Sequence, residues 1–198
     1  MVHVNQIGLA EAAAIRDKGA RSMRIVAWTI AVAIAAGSTA HAEPPPLKPA
    51  LAPIGFLVGH WTSGEGKVAD IGGTARGVST ITAEAGGVVL LRRDHTDLFD
   101  AAGKPAGGFD QIMMIYPEAG GLRADYSDGE HLIHYVSTEV VPGRSVTFTS
   151  AVQLGAPVFR LSYTVKTPDT LAIAFGMIPP GQSAFRPIAT GELHRSGS

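Results

Sequence analysis

The sequence contains no cysteine among its 198 residues. This absence excludes disulfide bonds, thiolate metal sites, cysteine nucleophiles and the lipid attachment of a lipoprotein. Charged residues are also few, with 16 basic and 17 acidic residues and a net charge of −1. Proteins that bind nucleic acid usually carry a clustered excess of lysine and arginine. Nucleic acid is therefore not an expected partner.

Long apolar runs are missing as well, although 45% of the residues are hydrophobic and only 17% are charged. That composition is too apolar for a disordered chain. The longest apolar run is shorter than the roughly 20 residues that a spanning helix needs. We expect a soluble globular domain with no stable membrane anchor once the N-terminal segment has been removed.

The beginning of the chain has the pattern of a signal peptide. Met23-Arg24 precedes an apolar run at 25–36, and Ala40-His41-Ala42 provides the small residues of a signal-peptidase site. We predict that residues 1–42 are a signal peptide cleaved after Ala42, with Met23 as an alternative start of translation. The predicted location is the periplasm or the exterior of the cell. Proline-rich residues 43–50 are predicted to be a tether, and residues 51–195 a single domain.

From Trp61 onward the pattern is typical of β structure. Short segments rich in valine, isoleucine, threonine and aromatic residues alternate with polar residues and are separated by glycine and proline. Segments of this kind form antiparallel strands with one buried face. Ten strands are predicted, at residues 61–68, 74–83, 88–98, 109–116, 122–127, 130–141, 145–154, 158–166, 170–177 and 184–195.

Ten such strands are most economically closed into a single up-and-down antiparallel β-barrel, because closure removes exposed sheet edges. A two-sheet sandwich is the alternative. A short helical turn is predicted at 53–56, before the first strand. The links at 84–87, 117–121, 142–143 and 167–169 are tight turns, so they mark the closed end. The other links, at 69–73, 99–108, 128–129, 155–157 and 178–183, fall at the opposite end and include the only long, glycine-rich loops, so this end is the open one, which we call the mouth.

Polar residues gather at the predicted mouth, where the strands numbered third to sixth begin or end. Apolar walls with a few polar groups at the rim are typical of small-ligand sites, although a solvated rim would also carry charges. Met113 equally suits core packing. The predicted ligand-binding residues are His95, Asp97, Asp110, Met113, Tyr126, His131 and Tyr135.

The same residues allow a catalytic alternative, in which the barrel is an isomerase, lyase or hydrolase. His95 or His131 would be the general base, and Tyr126 or an acidic residue the proton donor. A third hypothesis is an envelope interaction module whose barrel is filled by side chains. No metal site is predicted, because His131 and His134 are three residues apart and so lie on opposite faces of a strand.

Arg92 and Arg93 also lie on opposite strand faces, and the sequence does not decide which of them points inward. An inward arginine needs an acidic partner or an anionic ligand, because an unpaired buried charge is costly. Asp94, on the same face as Arg92, is the nearest structural partner.

The run Leu57-Val58-Gly59-His60-Trp61 resembles the Gly-x-Trp signature that opens calycin barrels such as the lipocalins. The resemblance implies that Trp61 closes the barrel base, that Arg195 packs across its ring and that Gly59 is structural. The continuation through Gly66 is similar to the nitrobindin-like branch and its exported relatives, which implies a barrel for a small apolar or amphipathic molecule. Nitrobindin-like haem proteins have an axial histidine near the start of the last strand, where this sequence reads Ala184 to Ile188. No cofactor is therefore predicted, and haem is not expected.

Overall fold

The computed structural model describes residues 45–69 and 72–197. The predicted signal peptide, residues 1–42, lies outside these residues. Within them the chain is all-β, with a 3₁₀ turn at Ala52–Leu57 and a second, shorter one at Ala85–Gly87. No helix in the described part of the chain is both long enough and apolar enough to cross a membrane.

From β2 to β11 each strand pairs antiparallel with its neighbours in the chain, and the sheet closes on itself because β1 and β2 each pair with both β3 and β11. The result is a closed ten-strand barrel with one additional strand, which confirms the predicted fold class. The strands are β1 (Gly59–Ser63), β2 (Gly66–Val68), β3 (Gly73–Glu84), β4 (Val89–Phe99), β5 (Pro105–Glu118), β6 (Gly121–Ser127), β7 (Leu132–Val141), β8 (Ser145–Ser150), β9 (Val158–Thr167), β10 (Thr170–Ile178) and β11 (Arg186–Arg195).

The additional strand arises because the first predicted strand, 61–68, is divided by a bulge. Ser63 pairs with Leu193, but Lys67 pairs with Thr190, so four steps along this strand match three along β11. The pairing with β3 shifts by one residue in the same way. A single extra residue bends and twists a strand locally, and β1 and β2 together therefore form one stave of the barrel.

Several strands differ from their predicted bounds, and β5 begins at Pro105, inside the link predicted at 99–108. Two of them differ because side chains bind the backbone at their ends. Asp128 Oδ1 accepts hydrogen bonds from the backbone N–H groups of Glu130 (3.1 Å) and His131 (2.7 Å), so the turn extends and β7 begins at Leu132 instead of residue 130. The strand predicted at 145–154 ends at Ser150, whose Oγ accepts a hydrogen bond from the Phe159 N–H at 2.9 Å.

The closed end is a packed apolar core. The 3₁₀ turn buries Ile54 and Leu57 completely against Trp61, and the Trp61 Nε1–H donates to the Leu57 carbonyl at 2.9 Å. The backbone N–H of Gly143, in a closed-end turn, donates to the Pro53 carbonyl at 2.8 Å and fixes the helical turn across the base. Residues 45–50 of the predicted tether also lie here, since Leu47 packs against the core.

Arg195 covers Trp61 from outside, as the calycin resemblance implies. Its Cζ lies 4.2 Å from the centre of the Trp61 ring, and its Nη1 donates to the Val58 carbonyl at 3.0 Å. Gly59 has a φ of 145°, and a Cβ at this position would collide with the Arg195 guanidinium. The Gly-x-Trp spacing therefore leaves room for the arginine that seals the base.

Candidate functional site

The half of the barrel nearer the mouth contains a cavity of about 420 Å³. Side chains from strands on opposite sides of the barrel form its largely apolar wall. Among them, the Phe159 and Phe175 rings stack with their centroids 5.7 Å apart. The wall includes Leu98, Phe109, Ile133, Phe159, Leu161 and Phe175. Alternation along the strands directs these side chains inward, and the cavity lies at the end that the loop lengths predict to be open.

A buried ion pair separates this cavity from the packed core. Along β4, Leu90 is fully buried in the core, Arg92 and Asp94 follow on the same face, and the strand then continues towards the mouth. The side chains of Arg92 and Asp94 are each only 8% exposed. The Arg92 Nε–H donates to Asp94 Oδ2 at 2.6 Å, and Nη2 donates to the same oxygen. We call this pair the polar floor of the cavity.

The Arg92 guanidinium uses all of its hydrogen-bonding capacity within the barrel. Nη2 also donates to Gln111 Oε1 at 3.3 Å, while Nη1 donates to the Tyr163 hydroxyl and contacts the Met113 sulfur at 3.8 Å. Burial opposes the positive charge, but the interactions with Tyr163 and Asp94 outweigh it, so the pKa of Arg92 lies above its ordinary value. Arg92 therefore stays charged.

Two buried polar atoms beside the floor have no hydrogen-bond partner among the described residues. They are Ser79 Oγ and Asp94 Oδ1. Ser79 is directly opposite Asp94 in the β3–β4 ladder, so both side chains point to the same face, and both residues line the cavity. Buried polar atoms in native proteins are usually satisfied by protein, water or ligand, so this position of the floor is chemically incomplete.

Three tyrosines surround the floor and remain protonated at neutral pH. Burial raises the pKa of Tyr163 to about 12, although the charge of Arg92 acts in the opposite direction. Burial likewise raises the pKa of Tyr126 and Tyr135 above the usual range. These hydroxyl groups can donate or accept hydrogen bonds, but they do not act as bases at neutral pH.

The structure brings Tyr126 and His131 together at the rim, and Asp128 joins them. The Tyr126 hydroxyl donates to Asp128 Oδ2 at 3.2 Å, and His131 Nδ1 lies 3.1 Å from the same oxygen. Partial burial would raise the pKa of Asp128, but hydrogen bonds from the backbone N–H groups of His131 and Glu130 lower it. The Asp128 carboxylate therefore holds the turn between β6 and β7 at the rim of the mouth.

The other polar residues predicted for the mouth lie on the outer face of the sheet. His95, Asp97 and Asp110 form a cluster on the outer surface, with His95 Nδ1 at 2.8 Å from Asp110 Oδ1 and Nε2 at 3.4 Å from Asp97 Oδ1. The Asp110 side chain is 87% exposed. Because Arg92 and Asp94 point inward, strand alternation turns the His95 and Asp97 side chains outward. The sequence predicts these residues at the rim of the mouth without deciding their strand face, and in the structure they lie on the outer face.

Of the remaining predicted residues, Tyr135 lines the cavity, whereas Met113 is fully buried and touches Arg92. Sequence reasoning named Arg92 and Asp94 only as a structural pair and did not include Ser79 or Gln111 in the site. Gln111 has the same strand parity as Met113, and that signal could have placed it inside.

Metal and haem ligation remain matters of prediction. The described residues contain no group of three histidine, aspartate or glutamate side chains arranged to hold a metal ion. Where the nitrobindin-like resemblance places an axial histidine, β11 begins with Arg186 and Pro187. These residues do not fit that mode of haem ligation.

No protein-family model and no curated protein matches this chain. Among solved structures, the chain resembles Rv2717c from M. tuberculosis, with a TM-score of 0.56 and 19% identity over 77% of this chain and 100% of that one. A second structure, EF1p2_mFAP2b bound to DFHBI, matches with a TM-score of 0.42 and 12% identity over 74% of this chain and 99% of that one. The first likeness shows the barrel fold alone, and the second is too loose to support an inference about function.

Proposed function

We propose that this chain is an exported barrel that binds a small hydrophobic or amphipathic molecule in the cavity at its mouth. The observation that carries the proposal is the cavity of about 420 Å³, which has an apolar wall and a buried polar floor. Apolar walls contribute affinity, and a few fixed polar groups contribute orientation. The proposal of export rests on the signal-peptide pattern. The intact mass of the secreted protein should match a chain that begins at Glu43, and any other mass would contradict the predicted cleavage.

The two alternative functions have less structural support. An interaction module with a packed barrel requires a filled lumen, whereas here only the closed half is filled. For an enzyme, the His95 side chain is turned to the outer face of the sheet, where it contacts Asp97 and Asp110. His131 remains a candidate base with Tyr126 nearby, because both border the cavity and both contact Asp128.

Nile red, a neutral fluorophore whose emission shifts to the blue in apolar surroundings, tests the proposed cavity. Ala189 lies opposite Phe175 in the sheet and borders the cavity, whereas Ala174, the residue before Phe175 on β10, is exposed and does not border it. We expect Ala189→Trp to fill the cavity and to weaken Nile red binding by at least about tenfold, because a close-packed site has no room for both groups.

Ala174→Trp is the matched control, since it makes the same substitution on the outer face of the neighbouring strand. We expect this variant to bind Nile red as the parent chain does. Failure of the parent chain to bind the dye, or equal binding by Ala189→Trp and Ala174→Trp, would contradict the cavity as the binding site.

A further inference from the structure

The unpartnered atoms of the polar floor define what kind of headgroup the cavity accepts. We propose, resting on the function proposed above, that the ligand is an amphipathic molecule with a neutral headgroup that donates an O–H or N–H hydrogen bond to Asp94 Oδ1. Its apolar part then extends along the stacked rings of Phe159 and Phe175 towards the mouth.

Arg92 offers no free donor to an anionic headgroup. A guanidinium carries five N–H groups, and Arg92 has five contacts with acceptors. Nε and Nη2 share Asp94 Oδ2, Nη2 also donates to Gln111, and Nη1 faces Tyr163 and the Met113 sulfur. A carboxylate or sulfate would have to displace one of these contacts and would also approach the lone pairs of Asp94 Oδ1.

The floor has no net charge to match a charged headgroup of either sign. The single positive charge of Arg92 is opposed by the single negative charge of Asp94, and both side chains are more than nine-tenths buried. A charged headgroup placed there would itself be a buried charge without a counterion. A neutral group meets no such cost.

The unused atoms are an acceptor and a hydroxyl, which fits the two hydrogen-bonding functions of an alcohol or a primary amide. Asp94 Oδ1 can only accept, whereas Ser79 Oγ can both donate and accept. A ligand hydroxyl between them would donate to Asp94 and accept from Ser79. Leaving a buried carboxylate oxygen without a donor is costly. The hydrogen-bond donor of the headgroup therefore determines which ligands bind tightly.

Two isomers separate this proposal from general hydrophobic binding. 1-Octanol and 1-methoxyheptane contain the same atoms, but only the alcohol has a hydrogen-bond donor. In competition with Nile red on the parent chain, we expect 1-octanol to bind about tenfold more tightly than the ether. Octanoate and octylammonium, which have the same chain length but carry charges, should both bind more weakly than 1-octanol.

Variants of the floor test whether these residues cause the preference. Asp94→Asn places an amide at this position, and Arg92 will hold its oxygen, so the amide N–H₂ replaces the free acceptor. We expect the preference for the alcohol over the ether to disappear or to reverse. Because this variant weakens a buried ion pair and could fail to fold, Ser79→Ala provides a second test.

Ser79→Ala should reduce the preference for 1-octanol while leaving binding of the ether unchanged. Thr80→Ala, which removes a hydroxyl from the outer face of the same strand, is its control and should change neither. Equal affinity of the parent chain for 1-octanol and the ether, or tighter binding of either charged ligand, would overturn the proposal while leaving the cavity intact as a binding site. Absence of binding by every ligand, Nile red included, would overturn both.

Discussion

Two groups of charged residues, one on the inner face of β4 and one on the outer face of β4 and β5, show how strongly the face of a strand determines the role of a side chain. Arg92 pairs with Asp94 on the inner face, and His95 pairs with Asp97 and Asp110 on the outer face. The groups are adjacent in sequence and similar in chemistry. The inner side chains are 8% exposed, however, and the His95 side chain is 52% exposed.

This difference in exposure changes what each pair contributes. A pair in water gains little because solvent screens the attraction and already hydrates both charges. A buried pair has lost that hydration, so each partner depends on the other. The inner pair therefore fixes the floor of a cavity, while the outer pairs leave the lumen unaffected.

Breaking the inner pair should have the largest effect on stability. Arg92→Met leaves the Asp94 carboxylate buried without its counterion, and we expect the free energy of unfolding to fall by about 3–5 kcal/mol. Urea denaturation of the variant against the parent chain measures this loss. The double variant Arg92→Met/Asp94→Leu removes both charges and should recover most of it. A single variant as stable as the parent chain would show that the pair is not buried as described.

Breaking an outer pair should change the free energy of unfolding very little, and its main effect should be on the pKa of His95. The hydrogen bond to Asp110 is the main cause that raises the pKa of His95 above its ordinary value. Desolvation opposes this increase, and the charges of Asp97 and Asp110 add to it. Asp110→Asn should bring the His95 pKa back towards that value, as followed by NMR titration of the ring protons. Thr96→Ala, which leaves both carboxylates in place, should not.

The sign of the pH effect follows from the raised pKa. The stability that protonated His95 contributes is fully present below its unfolded pKa of roughly 6.5, and it is lost as pH rises through the higher folded value. Asp110→Asn should therefore flatten the dependence of stability on pH in this window. An unchanged His95 pKa in Asp110→Asn would contradict the outer contact.

Sequence reasoning predicted the barrel because its signals are local and repeated. Alternation in segments such as Phe159 to Val165, and the contrast between tight turns and longer loops, reveal the strands and the two ends. Trp61 and Arg195 could be paired only through the calycin resemblance, because they lie at opposite ends of the domain. The bulge between β1 and β2 could not be predicted, since it depends on the register with both neighbouring strands.

The site was less predictable because neighbouring residues of β4, which lie on opposite faces, have the same chemical character. Leu90 and Leu91 are both apolar, and Arg92 and Arg93 are both basic, so alternation gives no parity. Assigning the wrong parity moves every side chain of a strand to the other face. That is why the sequence placed His95 and Asp97 at the mouth without deciding their face, and why Asp94 was predicted only as a partner for Arg92.

A crystal structure of the chain grown with 1-octanol would show where the ligand lies and what its hydroxyl contacts. We expect the alkyl chain to lie against the stacked rings of Phe159 and Phe175, with its hydroxyl oxygen within hydrogen-bonding distance, about 3 Å, of Asp94 Oδ1. A lumen filled by its own side chains, or octanol bound only on the outer surface, would contradict the account.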